Sequence, residues 1–430
     1  MQKPTDPWFS AYIAFFLQGI ALMLAYNIFF TTSEFFSHRF KSSMFADNFI
    51  TYFNFCFQIA NLVFVTLAMA RQHCANFHRQ IYIGSVINGL VFVMLCVLTF
   101  WKLNAVPMFW IVMTLFAIAS VVNAYLQNAL YAIASRWGSA YVQALCSGQG
   151  LASVATAAVP LLFAVLADPA SSQDGYAIAR RALLCYIPSA LLIFFALFSY
   201  FILRWHPMHE RNRHLMNDEW GFTAYIKPEY IPKMNLKDMW YVAKDIKGLV
   251  AANFICWTVS VALFPAITGG VTHVNGPGGL NAVWANKEVF TLVHYLISSS
   301  GDWIGRVLAG FPKLRIHRTR SLVAFSILRV GFIILFLMCN TETPKTGARL
   351  LPLTINSDAA FLALVAAFAL TNGWLSSVVF MEGPERMSSD SEKEAAGMVQ
   401  SFSMTAGCFI GSLLSFAVRA AVCRCDPFTS

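Results

Sequence analysis

Charge is scarce in this chain: only 12% of its 430 residues are Asp, Glu, Lys or Arg, against 58% hydrophobic and 15% aromatic. Soluble domains carry about 25% charged and roughly 45–50% apolar residues, so a chain built for water is excluded. The strict polar–apolar alternation of a barrel strand is also missing; the apolar stretches are continuous runs of roughly 20 residues. In hydrocarbon every backbone N–H and C=O must be bonded within its own span, so these runs are expected to be helices. No basic segment with a small-residue cleavage site precedes the first run, which is therefore expected to be retained as a helix. Asn-x-Ser/Thr sequons are lacking throughout, which fits an internal membrane or short non-cytoplasmic loops.

Catalytic constellations are missing too. Ser147 sits in Ser-Gly-Gln-Gly, without the flanks of a Gly-x-Ser-x-Gly nucleophile. His206 and His209 have no third ligand at metal spacing. Gly269-Gly270 and Gly276–Gly279 lack the Gly-Lys-Ser/Thr of a phosphate loop. Of ten cysteines, most lie in apolar runs (Cys56, Cys96, Cys185, Cys256) as small hydrophobes, and Cys423 and Cys425 have no partners at zinc-site spacing. An enzyme, a cofactor, a metal centre and a disulfide framework are not expected. Nor does the net charge of +9 point to nucleic acid. Apolar spans interrupt the basic residues, as in orientation signals and unlike a phosphate-tracking surface.

The pattern predicts an all-α integral membrane protein with eleven transmembrane helices in a 6+5 arrangement. Spans are expected near 10–32, 48–70, 80–100, 106–131, 140–166, 182–203, 248–269, 287–311, 321–338, 357–381 and 396–418. The long hydrophilic segment Arg204–Lys247 carries His206, Arg211, Arg213, Lys227, Lys233 and Lys237, and Pro207, Pro228 and Pro232 break any continuous helix there. It separates an N-terminal bundle (1–203) from a C-terminal bundle (248–430) as a cytoplasmic linker (204–247). With a cytoplasmic N-terminus, most Lys and Arg fall inside, notably in that linker and at Lys313, Arg315, Arg318 and Arg320. The positive-inside rule then puts the C-terminus on the non-cytoplasmic side. Small residues at Gly148, Gly150, Ala395, Ala396, Gly397, Gly407 and Gly411 suit close helix packing.

Polar groups within spans carry the functional signal, because each costs free energy unless paired or hydrated. Asp302 and Arg306 are four residues apart in Ser-Gly-Asp-Trp-Ile-Gly-Arg, on one helix face where they can pair. Two readings stay open for them: a self-neutralising ion pair that fixes register, or a polar patch able to bond sugar hydroxyls. Asn27 lies beside Tyr26 and near Phe29 and Phe30, an amide against an aromatic face that suits a flat heteroaromatic ligand; Gln127 adds a second amide. For Asn27, Gln127, Asn123 and Asn372 an inter-helix hydrogen bond is the commoner role of such residues. Asn123, Asn372, Trp374 and Glu382 are grouped as gating or packing candidates, with Glu382 near the interface.

These residues occur in segments that resemble the equilibrative nucleoside transporter family. Gly19 to Phe36 is similar to that family's first helix and 147–153 (SGQGLAS) to its fifth. ALFPAIT at 262–268 resembles the seventh and GDWIGR at 301–306 the eighth. FALTNGWLSSVVFMEGP at 368–384 resembles the tenth, and Glu394-Ala395-Ala396-Gly397 the start of the eleventh. The ordered set covers almost the whole chain and has a fungal texture over 31–90. The resemblance implies a major-facilitator-like, pseudo-symmetric transporter of purine and pyrimidine nucleosides working by alternating access. It also implies that Asn27, Gln127, Asp302 and Arg306 line the substrate cavity. Tyr26 would contact the nucleobase, Gln127 would bond it, and Asp302 with Arg306 would engage the ribose. Two positions depart from the family: Ala25-Tyr26-Asn27 replaces Pro-Trp-Asn, and Asn123 stands where a small residue is common. Nucleobase transport, proton linkage through Asp302 or Glu382, oligomeric state, and vacuolar or plasma membrane are left open. The rivals are a general major-facilitator carrier for sugars or drugs, and a non-transporting receptor or scaffold.

Overall fold

The structure is a computed structural model, which describes residues 9–41, 43–45, 49–72, 76–101, 103–166, 175–203, 234–264, 267–271, 273–274, 287–340 and 353–423. The basic and proline positions from 204 to 233, the glycines at 276–279 and Cys425 lie outside the described residues. The described residues form fourteen α-helices: α1 Ser10–Thr31, α2 Ser33–Phe40, α3 Phe49–Ala70, α4 Phe77–Phe100, α5 Ala105–Trp137, α6 Ser139–Leu166 and α7 Gly175–Leu203. They continue as α8 Leu236–Asp245, α9 Lys247–Leu263, α10 Lys287–Leu308, α11 Thr319–Leu328, α12 Gly331–Leu337, α13 Asp358–Glu385 and α14 Asp390–Cys423.

Among the described residues ten spans are long and apolar enough to cross a membrane, α11 and α12 together counting as one. The remaining long helix, α10, has 22 residues but is the polar one. It carries His294, three consecutive serines at 298–300, Asp302 and Arg306, which lower its hydropathy below that of the others. Against the eleven expected spans, ten are apolar enough to cross, and α10, at the place of the expected eighth, is not among them.

Contacts divide the chain into two compact units. Unit 1 comprises Met1–Ala152, Ala179–Ile246 and Phe380–Phe402. Its core is aromatic: Phe29 packs on Phe36, Phe53 and Phe116 at centroid distances of 4.6, 4.4 and 4.3 Å. Such ring pairs add about 0.5–1.5 kcal/mol beyond the area they bury, which matters where lipid offers no hydrophobic driving force between helices. The α1 and α6 backbones approach closely at Gly19, where a β-carbon would meet Leu145 O, and at Gly148, where one would meet Phe16 O. This gives the Ser-Gly-Gln-Gly segment its packing role. In α8, Met239 and Val242 are buried while Trp240 and Tyr241 are exposed beneath Lys244 Nζ, at 5.5 and 5.7 Å from the ring centroids. That is an arrangement suited to a membrane–water interface.

Unit 2 comprises Ser153–Ile178, Lys247–Val379 and Ser403–Ser430. Leu263, Phe290, Phe336, Phe361, Val365 and Phe368 form its apolar core. The α9 and α14 backbones meet where Gly407 and Gly411 face Phe254 O and Thr258 O. The span of α11 and α12 narrows to a 3₁₀-like turn at Arg329-Val330, where Val330 N bonds Ile327 O (2.9 Å) and Ile333 N bonds Val330 O (3.0 Å). Those i→i−3 bonds tighten the chain locally.

Candidate functional site

In unit 2, α10 and α13 are brought together by glycine. A β-carbon on Gly373 would overlap the backbone of Asp302, and one on Gly305 would overlap Leu370 O. This closeness lets a short amide on α13 reach a short carboxylate on α10. Asn372 Nδ2 donates to Asp302 Oδ1 at 2.7 Å, and Arg306 Nε donates to Asp302 Oδ2 at 2.7 Å. Both carboxylate oxygens therefore have a fixed donor. Arg306 lies 5.9 Å from the Trp257 ring centroid.

The network continues to α9 and the span of α11 and α12. Asn372 Oδ1 accepts from Ser260 Oγ (2.6 Å), Cys256 Sγ (3.3 Å) and Arg329 Nη2 (3.5 Å). Arg329 Nη2 also donates to Ser260 Oγ (2.7 Å), and Nη1 donates to Phe368 O (2.8 Å) and Thr371 Oγ1 (2.5 Å). The Arg329 guanidinium lies 4.5 Å from the Phe368 ring centroid. An arginine at mid-span costs roughly 2.5–3.5 kcal/mol. Four polar bonds at about 0.6 kcal/mol each offset most of that. Buried Arg306 and Arg329 and part-buried Asp302 form one constellation of two cations and one anion, and such intramembrane charges mark function by default.

In unit 1, Asn123, Gln127 and Tyr131 recur every fourth residue on α5, one face of the helix. Gln127 Nε2 donates to Ser401 Oγ at 2.9 Å. Tyr131 stacks on Phe380 (centroids 4.4 Å apart) and donates to Gln149 Oε1 at 3.2 Å. Asn123 is buried with its Oδ1 lacking a partner among the described residues. On α1, the Tyr26 hydroxyl donates to Asn54 Oδ1 (3.2 Å) and its ring packs on Phe30 and Phe57, each at 4.9 Å. Asn27, half-buried, accepts from Thr31 Oγ1 through its backbone carbonyl.

Of the residues singled out in the sequence, Asp302, Arg306 and Asn372 form one bonded cluster. Trp374 instead donates to Leu314 O at 3.0 Å and meets Phe325 edge-on. Glu382 is buried with Arg386 Nη2 3.9 Å from its carboxylate. Arg329, Ser260 and Cys256 complete the cluster but were not singled out; the available signal was a cation in an otherwise apolar run. Unit 1 also encloses a cavity of about 10 Å³ lined by Gln18, Ser85 and Asn88, far too small for an organic solute.

With ten spans long and apolar enough to cross a membrane among its described residues, which are almost entirely helical, the chain is a multi-pass membrane protein. It resembles a major facilitator superfamily transporter, FucP, in the outward conformation. The TM-score is 0.57 at 10% identity, covering 96% of this chain and 97% of that one. A bacterial homologue of the iron transporter ferroportin gives 0.51 at 12% identity over 96% and 95%. Residues 112–420 match the nucleoside transporter family, and the chain belongs to it. Relatives include equilibrative nucleoside transporter 1 of Rattus norvegicus, 25% identical over 98% of this chain and 99% of that protein. The nucleoside transporter FUN26 of Saccharomyces cerevisiae is 26% identical over 94% and 83%.

Proposed function

We propose that this protein moves nucleosides across a membrane by alternating access, driven by the nucleoside gradient. The reading is carried by family membership over residues 112–420, a stretch that includes Gln127, Asp302, Arg306 and Asn372. Relatives named for nucleoside transport align along nearly the full chain. Tyr26, Asn27 and Gln127 offer a ring face and amides, the chemistry that stacks on a heteroaromatic base and bonds its edge. Asp302 and Arg306 offer an acceptor and a forked donor, the chemistry that bonds vicinal hydroxyls. A cytoplasmic N-terminus, a non-cytoplasmic C-terminus and an internal membrane complete the proposal, supported by the basic residues from 204 to 247 and the lack of sequons.

The test is uptake of labelled adenosine and uridine by proteoliposomes, for wild type and Asp302→Asn, with and without a proton gradient. Saturable uptake that falls at least tenfold in the variant is expected, with no response to the gradient. Failure of folded wild-type protein to take up either nucleoside would overturn the reading in favour of a carrier for other solutes.

A further inference from the structure

Arg329 is 2% exposed, so no solute reaches it; the Asp302 side chain keeps 15% exposure. A chain of bonds joins the two. The amide of Asn372 has three donors on its oxygen side (Arg329, Ser260 and Cys256) and a carboxylate oxygen on its nitrogen side. Reversing the amide would set N–H against N–H and carbonyl against carboxylate, so only one orientation satisfies every group. Arg329 bears on it twice, directly at Asn372 Oδ1 and through Ser260 Oγ, which accepts from the guanidinium and shares its one hydrogen between the amide oxygen (2.6 Å) and Cys256 O (2.7 Å). The oriented Nδ2 then holds Asp302 Oδ1, while Arg306 holds Oδ2. Arg329 also sits where its span tightens, with Arg329 and Val330 both in the right-handed helical conformation.

We propose that Arg329 is a positioning residue: acting through Ser260 and Asn372, it fixes the Asp302 carboxylate in the orientation that accepts a ribose hydroxyl. The inference rests on the ribose role given to Asp302 under the proposed function. Arg329 touches no substrate; its effect is on which substrates the carboxylate recognises. A purely structural Arg329 would change how much protein is folded, and so lower the uptake of every substrate alike.

The experiment compares uptake of adenosine and 2′,3′-dideoxyadenosine by proteoliposomes carrying wild type, Arg329→Lys, Arg329→Met, Ser260→Ala, Asn372→Leu and Asp302→Asn. Arg329→Met is expected to lower kcat/KM for adenosine about tenfold and that for the dideoxy compound less than about twofold. Its preference then collapses to that of Asp302→Asn. Arg329→Lys restores part of it, since lysine keeps the charge but not the fork. Combining Arg329→Met with Asn372→Leu adds no further loss, because both act along one path. If Arg329→Met does not fold, Ser260→Ala, which removes one hydroxyl, reads the same split. Equal loss for both substrates, or an intact ribose preference where Asp302→Asn abolishes it, overturns the inference alone. An intact preference in Asp302→Asn removes the ribose reading, and the inference with it.

Discussion

Gly373 faces the backbone of Asp302 so closely that a β-carbon placed on it would overlap the Asp302 carbonyl. The seam is glycine-lined from both sides. Gly301 and Gly305 of α10 abut the α13 backbone at Ala366, Leu370 and Trp374, and their four-residue spacing is that of a small-xxx-small packing face.

Gly373→Ala is therefore expected to push α13 away from α10, costing roughly 1–3 kcal/mol as overpacking does, and to lower uptake by separating Asn372 from Asp302. Gly331→Ala is the control: a β-carbon there meets nothing within 4 Å. Thermal melting in detergent should fall for the first variant and hold or rise for the second.

Exchanging the pair, Asp302→Arg with Arg306→Asp, keeps an i,i+4 ion pair but sets a guanidinium against Asn372 Nδ2, donor against donor. The double variant is expected to insert and melt cooperatively while losing adenosine uptake by at least tenfold. Full activity would show that the ion pair alone matters, whatever its direction.

Gln127→Leu removes the amide that donates to Ser401 Oγ. One hydrogen bond contributes about 0.5–1.5 kcal/mol, so KM for nucleosides is expected to rise several-fold, whereas Ser401→Ala leaves the amide in place and changes it little. Competition by unlabelled nucleosides measures both, and equal effects would assign Gln127 to packing.

Arg136 is paired by Glu394 at 3.1 Å and Asp390 at 3.8 Å, with Arg136 and Glu394 side chains only 8% and 16% exposed. Glu394→Gln leaves the buried guanidinium with its longer contact alone and is expected to cost about 3 kcal/mol, the low end for breaking a buried pair. Arg136→Glu combined with Glu394→Arg should recover part of the melting temperature. No recovery would mean that the two side chains are not energetically coupled.

The spans were legible because continuous apolar runs in lipid have few structural options. Helix ends were less so. α14 begins at Asp390, several residues before its apolar run. Ser389 Oγ accepts from Glu392 N, and Glu392 Oε2 accepts from Ser389 N, a capping box present in the sequence as Ser-x-x-Glu. α8 shows half of the same signal, with Asn235 N bonded to Asp238 Oδ2. The Asp302–Arg306 pair could be read because its spacing is local. Asn372 lies 70 residues from Asp302, and Ser401 lies 274 from Gln127; only packing introduces them. Arg329 was visible as a charge, but its bonds to α9 and α13 were not.

The seam between α10 and α13 has a mechanical consequence. Where backbone meets backbone there are no flexible side chains to absorb a displacement, so the two helices are expected to move as one stiff plank. Any such movement would carry Asp302, Arg306 and Asn372 as a fixed set, with their mutual distances kept. A solute held by this set would be ferried by a rigid palm.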